Sequence, residues 1–248
     1  MSNGKLTRRP LPLLAALLLA AVAALVPGNA VRHHRDLSFD GGFNAQVART
    51  LAEKHRYATT YRGLHDFDHR VQTGPTVIVP TAVVFRLVGV NNATAQLTNL
   101  AYLLLLFLLT VVLAWRLSGD LAAFLVIPVL LATPHLFTFG MGLYGEIPAL
   151  VFLLAAALVL DLSRCGSSWW AAGTTGFLLG LAVLTKFQMV LPVAVMVAVA
   201  WILRPRDSGR SLGTLAAAAT GFAAALVPME LAKLHTFSWP VYLQWWRD

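Results

Sequence analysis

Charged residues are scarce in this chain: Asp, Glu, Lys and Arg make up 12% of its 248 residues, whereas 58% are hydrophobic. A typical soluble domain contains about 25% charged residues. Several uninterrupted apolar runs also approach the roughly 20 residues that a helix needs to cross a bilayer. The composition therefore argues against a soluble globular protein and predicts an all-α, polytopic membrane protein.

The chain has a single cysteine, Cys165, so an internal disulfide is excluded. It also lacks a recognisable repeat, a compact basic cluster and a nucleic-acid-binding motif. The net charge of +8 comes from basic residues spread among the ends of loops. We therefore predict no nucleic-acid partner, and we interpret the positive charge as a determinant of membrane orientation.

The first predicted span covers residues 11–31 and follows the basic residues Lys5, Arg8 and Arg9. Cleaved signal peptides share this pattern, and residues 28–30 are compatible with a cleavage site. We expect a retained helix, because many apolar runs follow. Pro27 and Gly28 are expected to fray its far end.

A polar stretch follows at residues 32–72, and it is too long for a plain connection. At its start, Phe43, Val47 and Leu51 recur at helical spacing, which predicts an amphipathic helix with Asp40 at its N-terminal end. The apolar run at 75–90 would be only about 24 Å long as a helix. We predict that it is re-entrant or interfacial, on the outer face.

Further apolar runs lie at about residues 93–115, 121–139, 146–162, 169–185, 189–203 and 214–231. With the first run they give about seven predicted transmembrane helices. The predicted single membrane domain, 1–248, thus consists of the first span 11–31, an outer loop 32–92 with juxtamembrane helices, six further spans in 93–231 and an outer tail 232–248.

Short arginine-bearing connections near residues 116, 164 and 204–210 favour the same side as the basic N-terminus, which is the cytoplasm. A count of every Lys and Arg favours the reverse, because the first loop is itself basic. We give the short loops more weight and predict a multi-pass protein of the plasma (inner) membrane with a cytoplasmic N-terminus.

This topology brings Asp40, Glu146 and Lys186 to one outer compartment. Ionisable groups beside membrane spans are costly unless they face a cavity or a partner. Two acids and a base at one cavity are typical of a reaction site. Each residue also has a structural interpretation: Asp40 as a helix N-cap, Glu146 as a first-turn acid favoured by the helix dipole, and Lys186 as a snorkelling interface residue.

Residues 65–69, His-Asp-Phe-Asp-His, have the residue types of a metal site. Their spacing matches no known class of metal site, and such residues are common in solvated loops. We therefore predict no cofactor and assign no ligand to a divalent metal.

The order of motifs resembles the N-terminal half of the GT-C glycosyltransferases, over almost the whole chain. The motifs are Phe-Asp-Gly-Gly-Phe-Asn-Ala-Gln-Val-Ala-Arg-Thr-Leu-Ala-Glu, a Gly-Pro-initiated apolar segment ending Phe-Arg-Leu-Val-Gly, the acidic turn at Glu146 and Leu-Ala-Val-Leu-Thr-Lys. The branch most similar to it is the protein mannosyltransferase and aminoarabinose transferase type, whose members take a sugar from a polyprenyl-phosphate carrier.

The resemblance implies an inverting transfer, on the outer face, from a polyprenyl-phosphate-linked sugar to a lipid, glycan or protein acceptor. Asp40 and Glu146 would be the catalytic acids, with Asp40 at the acceptor, and Lys186 would bind the lipid phosphate. The family often has Glu where this chain has Gly41. Related enzymes continue with further spans, so we expect a missing C-terminal half or a partner chain that supplies it.

Two other classes of function stay open. In a transporter or flippase, Asp40, Glu146 and Lys186 would line a substrate path, although the chain lacks paired broken helices. The chain would otherwise be an inactive fragment or scaffold of a glycosyltransferase.

Overall fold

The computed structural model describes residues 10–133, 135–163, 168–203 and 212–247. This part of the chain is almost entirely helical, which confirms the all-α class. Its helices are α1 Pro10–His34, α2 Phe39–Lys54, α3 Pro75–Val88, α4 Asn92–Ser118, α5 Asp120–Ala132, α6 Leu136–Gly140, α7 Glu146–Leu162, α8 Trp169–Thr185, α9 Val190–Leu203, α10 Leu212–Thr236 and α11 Trp239–Trp245. The strands are β1 Ala58–Thr59 and β2 His65–Asp66, which pair antiparallel.

Three of the described helices are long and apolar enough to cross a membrane: Leu11–His34 within α1, Asn92–Ser118 (α4) and Leu212–Thr236 (α10). They support a membrane protein. Shorter apolar helices include α3, α5 and α8. The count of seven spans and the orientation stay predictions, and the basic connections at 164–167 and 204–211 lie outside the described residues.

Helix α1 packs on α4 through a stripe of small residues. Ala16, Ala20 and Ala24 are fully buried at a spacing of four residues, in a cluster with Phe107 of α4. The expected fraying at Pro27 is wrong, because the helix continues to His34. Tertiary packing overrides the local signal: the glycine that follows the proline lies so close to α4 that a Cβ there would be 2.6 Å from Leu100 Cδ1.

The prediction of one continuous helix over residues 121–139 is also wrong. Helix α5 ends at Ala132 and α6 begins at Leu136, after His135 in the left-handed region with a φ of 62°. Helix α10 extends five residues beyond the predicted end of its run at 231, to Thr236. The bounds of α7 and α8 agree with the predicted runs.

Residues 32–92, predicted as an outer loop, are structured, as the length of this segment predicts. The apolar face of α2 packs on α3, with Val47 and Ala48 buried against Val77 and Ile78. Arg86 of α3 completes the end of α2 by donating to the carbonyl oxygens of Ala52 at 3.0 Å and Leu51 at 3.3 Å. The short hairpin between these helices was not predicted.

Helices α8 and α10 make the closest helix–helix approach through glycines. A Cβ at Gly176 would lie 2.0 Å from Ala218 O, and a Cβ at Gly221 would lie 2.0 Å from Gly173 O. Small residues at such a crossing let two backbones meet, which is a common way to associate helices in a membrane.

Gly176→Ala should therefore destabilise the protein by about 1–3 kcal/mol, because the new methyl group overlaps the backbone of α10 at Ala218 and forces the two helices apart. Gly173→Ala on the same helix is the matched control, since its Cβ would meet Ala217 O at an ordinary 3.6 Å. Thermal unfolding in detergent measures both variants. Equal stability of the two would contradict this packing.

The first loop, the turn before α7, the end of α8 and the C-terminal segment meet at one end of the bundle. Asn44 donates to Leu143 O, Gly74 N–H donates to Thr185 O, and Trp245 Nε1–H donates to Phe67 O. At the other end, Arg116 of α4 pairs with Asp161 of α7. These contacts position a shared site at the first end.

Candidate functional site

The three residues singled out from the sequence line one cavity of about 80 Å³. They come from α2, the start of α7 and the end of α8, so the chain brings together side chains more than a hundred residues apart. The lining residues are Asp40, Phe43, Asn44, Arg70, Gln72, Thr73, Tyr144, Glu146 and Lys186.

Asp40 lies in the first turn of α2 and is exposed. Its interpretation as the N-cap is wrong, because Ser38 is the N-cap and its Oγ accepts from Gly41 N–H at 3.2 Å. Asp40 forms no ion pair with any residue in the described parts of the chain. Its carboxylate is therefore available to a ligand.

Gly41 allows α2 to reach the turn before α7. A Cβ at this position would lie 2.0 Å from the carbonyl oxygen of Gly142. The next residue, Gly42, has open space around it. The close approach explains why position 41 has no side chain, and it brings Asp40 near Glu146.

Glu146 and Lys186 form an ion pair across the cavity. Glu146 is the first residue of α7, as the dipole interpretation also predicts, and its side chain is 48% exposed. The Lys186 side chain is only 13% exposed, and its ammonium group binds the Glu146 carboxylate. A snorkelling lysine would instead extend its ammonium group into open water.

The end of α8 that carries Lys186 is held against α3. Gly74 N–H donates to Thr185 O at 2.8 Å, and a Cβ at Gly74 would be 1.6 Å from Leu184 O. The Thr76 and Thr185 hydroxyl groups are also 2.6 Å apart. Backbone contacts thus set the position of the lysine.

Asn44 and Tyr144 join α2 to the turn before α7. The buried Asn44 amide donates to Thr73 Oγ1 at 3.0 Å and to Leu143 O at 2.9 Å. Tyr144 donates its hydroxyl hydrogen bond to Ser38 Oγ at 2.5 Å. These contacts hold the cavity wall on which Asp40 and Glu146 lie.

Arg70 is the charged lining residue that sequence reasoning missed. It pairs with Asp68, and its guanidinium carbon lies 6.0 Å from the Phe43 ring centroid and 5.5 Å from that of Tyr61. The first loop contains many basic residues, and no spacing distinguishes Arg70 among them. Only the hairpin brings it to the cavity.

The Arg70–Asp68 pair is firmly ionised. Hydrogen bonds from Arg70 lower the pKa of Asp68 to about 2, with a smaller contribution from the Thr59 hydroxyl, which donates at 3.0 Å. Since this carboxylate stays charged at neutral pH, it holds the guanidinium group beside the cavity.

The His-Asp-rich segment at 65–69 has no metal-like arrangement. In the ranges that the structure describes, no three His, Cys, Asp or Glu side chains come together. Its acids bind arginines instead: Asp66 pairs with Arg56 and Asp68 with Arg70. His69 stacks on Trp245.

The cavity combines two acidic and two basic side chains. Sites for whole small-molecule ligands measure about 300–1,000 Å³, so 80 Å³ accommodates only the reacting groups of a larger ligand. Lys186 and Arg70 offer positive charge to an anionic group, while Asp40 offers a free carboxylate. The arrangement suits proton removal next to a departing anion.

Comparisons with known proteins give no support for or against a family: no family model, no curated protein and no solved structure matches this chain.

Proposed function

We propose that this protein is an inverting membrane glycosyltransferase that transfers a sugar from a polyprenyl-phosphate carrier to an acceptor on the outer face. The observation that supports it most is the free carboxylate of Asp40 at the same cavity as the paired Glu146 and Lys186. The similarity of its motif order to the GT-C glycosyltransferases supports the reaction class.

In this reaction, the oxygen of the acceptor hydroxyl attacks the anomeric carbon. Asp40 accepts the proton of that hydroxyl at the same time. The new C–O bond forms as the bond between that carbon and the phosphate oxygen breaks. The electron pair leaves with the polyprenyl phosphate, whose growing negative charge Lys186 stabilises, with Arg70 beside it. One displacement inverts the anomeric centre, and no covalent enzyme intermediate is needed.

Glu146 has a different task in this scheme, because its carboxylate is already paired with Lys186. The ion pair holds the Lys186 side chain at the cavity. We propose that Glu146 releases Lys186 to the phosphate and then binds donor or acceptor hydroxyl groups. Asp40, which has no such partner among the described residues, is the better base.

The remaining parts of the proposal follow the predicted topology. We propose that the protein has about seven spans and that the cavity faces the outer side of the plasma membrane, where a lipid, glycan or protein acceptor meets the carrier. A partner chain that supplies further spans is part of the proposal. No metal is assigned a role.

The test is sugar transfer by the purified protein in proteoliposomes that contain a labelled polyprenyl-phosphate sugar. Lys186→Met should lower the rate by about 10–100-fold through lost stabilisation of the phosphate charge, and Lys186→Arg should restore part of it. The control is Lys54→Met, because Lys54 is exposed at the end of α2. Lys233 is unsuitable as a control because it is buried.

Counterflow of the lipid-linked sugar without any transfer, in the wild-type protein, would contradict the enzyme and favour the transporter. Absence of both activities would favour the inactive scaffold. Adding candidate partner chains to the same liposomes separates a scaffold from an enzyme that is inactive without its partner.

A further inference from the structure

The C-terminal helix α11 docks on the outer loop through Trp245. The indole N–H donates to the carbonyl oxygen of Phe67 at 2.7 Å. The indole ring also stacks on the His69 imidazole, with centroids 4.8 Å apart and 21° between the planes. Phe67 makes a second contact with this segment, edge to face with Phe237 at 5.8 Å. The residues on both sides of Asp68 are thus held by the C-terminal segment.

Trp245 is itself held by a buried charge. The Lys233 ammonium lies 3.6 Å from the indole centroid, and the residue is only 5% exposed. Glu230 pairs with Lys233 at 2.8 Å and accepts from the Tyr242 hydroxyl at 2.9 Å. A buried ammonium group needs such partners, and a cation over an indole face adds attraction.

Both faces of the indole are therefore covered. An ammonium group at 3.6 Å and a stacked imidazole cannot occupy the same face of one ring, so they lie on opposite faces. The contacts of Trp245 constrain the backbone of residues 67–69.

We infer that Trp245 is a positioning residue for Arg70 and hence for the basic side of the cavity. The path is short: Trp245 holds Phe67 and His69, and Asp68 between them holds the Arg70 guanidinium group beside Asp40 and Lys186. The inference rests on the proposed function in one respect, that Arg70 binds an anionic group of the ligand.

Trp245→Phe tests this inference, because it keeps an aromatic ring but removes the indole N–H donor and weakens both the stack on His69 and the contact with the Lys233 ammonium. Trp246→Phe is the matched control: the adjacent residue is 57% exposed, and phenylalanine keeps an aromatic ring where Trp246 meets Trp245 edge to face at 5.4 Å. Hydrogen exchange of residues 66–71 in detergent should accelerate by about 10-fold or more in Trp245→Phe and stay unchanged in Trp246→Phe. Unchanged exchange in Trp245→Phe would overturn the inference.

Binding of farnesyl phosphate, a short polyprenyl phosphate, tests the link to Arg70. Trp245→Phe should weaken it by about 2–10-fold, the effect of one neutral hydrogen bond. In an Arg70→Gln background the same change should have no further effect, whereas in a Lys186→Met background the two losses should multiply. An equal loss in the Arg70→Gln background indicates a general structural role and overturns the inference.

The two arms separate the inference from the proposed function. If the wild-type protein binds no farnesyl phosphate, the phosphate-binding role of the cavity fails, while faster exchange in Trp245→Phe alone still supports the positioning of residues 66–71. If the wild type binds it and Trp245→Phe binds equally well, the function survives and the positioning role is overturned.

Discussion

Asp40→Asn is expected to lower the rate of sugar transfer by about 10²–10⁴-fold, the usual contribution of a general base. Asparagine keeps the size of the side chain but cannot take the acceptor proton. Binding of farnesyl phosphate should change little, because Asp40 is not part of the Lys186 or Arg70 ion pairs. Transfer and binding are measured on the same preparation.

Glu53→Gln is the control for this change. Glu53 lies on the same helix, α2, and forms an exposed ion pair with Arg49 at 2.8 Å, away from the cavity. Exposed pairs of this kind contribute about 0.3–0.5 kcal/mol, so both transfer and stability should stay near the wild-type values. Intact transfer by Asp40→Asn would remove Asp40 from the catalytic assignment, whatever the result for Glu53→Gln.

Gly41→Ala is expected to have the second large effect, on stability and on activity together. Its Cβ would lie 2.0 Å from Gly142 O, so α2 must move away from the turn before α7. Overpacking against a backbone costs about 1–3 kcal/mol, which exceeds the gain of up to about 1 kcal/mol from helix propensity. The same movement separates Asp40 from Glu146, so transfer should fall more than stability alone explains.

Gly42→Ala provides the comparison at the neighbouring position. Nothing lies within 4 Å of the Cβ that it would add, and the residue is exposed in the same helix. We expect unchanged transfer and a gain of about 0.5–1 kcal/mol from the smaller backbone entropy of alanine. Thermal unfolding and transfer assays on both variants give the result, and equal behaviour of the two would contradict the close approach at Gly41.

Asp40 shows how far local sequence reasoning extends. The spacing of Phe43, Val47 and Leu51 predicts α2 because helical periodicity is a local property. The alternative interpretation of Asp40 as the N-cap was wrong, because Ser38, two positions earlier and also a good N-cap residue, caps the helix. Geometry, rather than residue type, decides which oxygen reaches the free N–H groups.

The predicted topology put Asp40, Glu146 and Lys186 on one side of the membrane, and the structure brings them to one cavity. Alternate ends of successive apolar runs fall on alternate sides, so their side can be counted without knowledge of packing. Counting cannot give distances. The ion pair between Glu146 and Lys186, and the absence of such a pair at Asp40 in the described chain, depend on contacts such as Gly74 with Thr185.

The sequence by itself determined the membrane class, the all-α fold and the bounds of α7 and α8, because long apolar runs with polar ends define helices locally. It also selected the acidic and basic residues around which the cavity forms. Only the tertiary structure added Arg70 and Trp245 and continued α1 past Pro27. Those features arise from close approach between segments far apart in the chain, which no local pattern encodes.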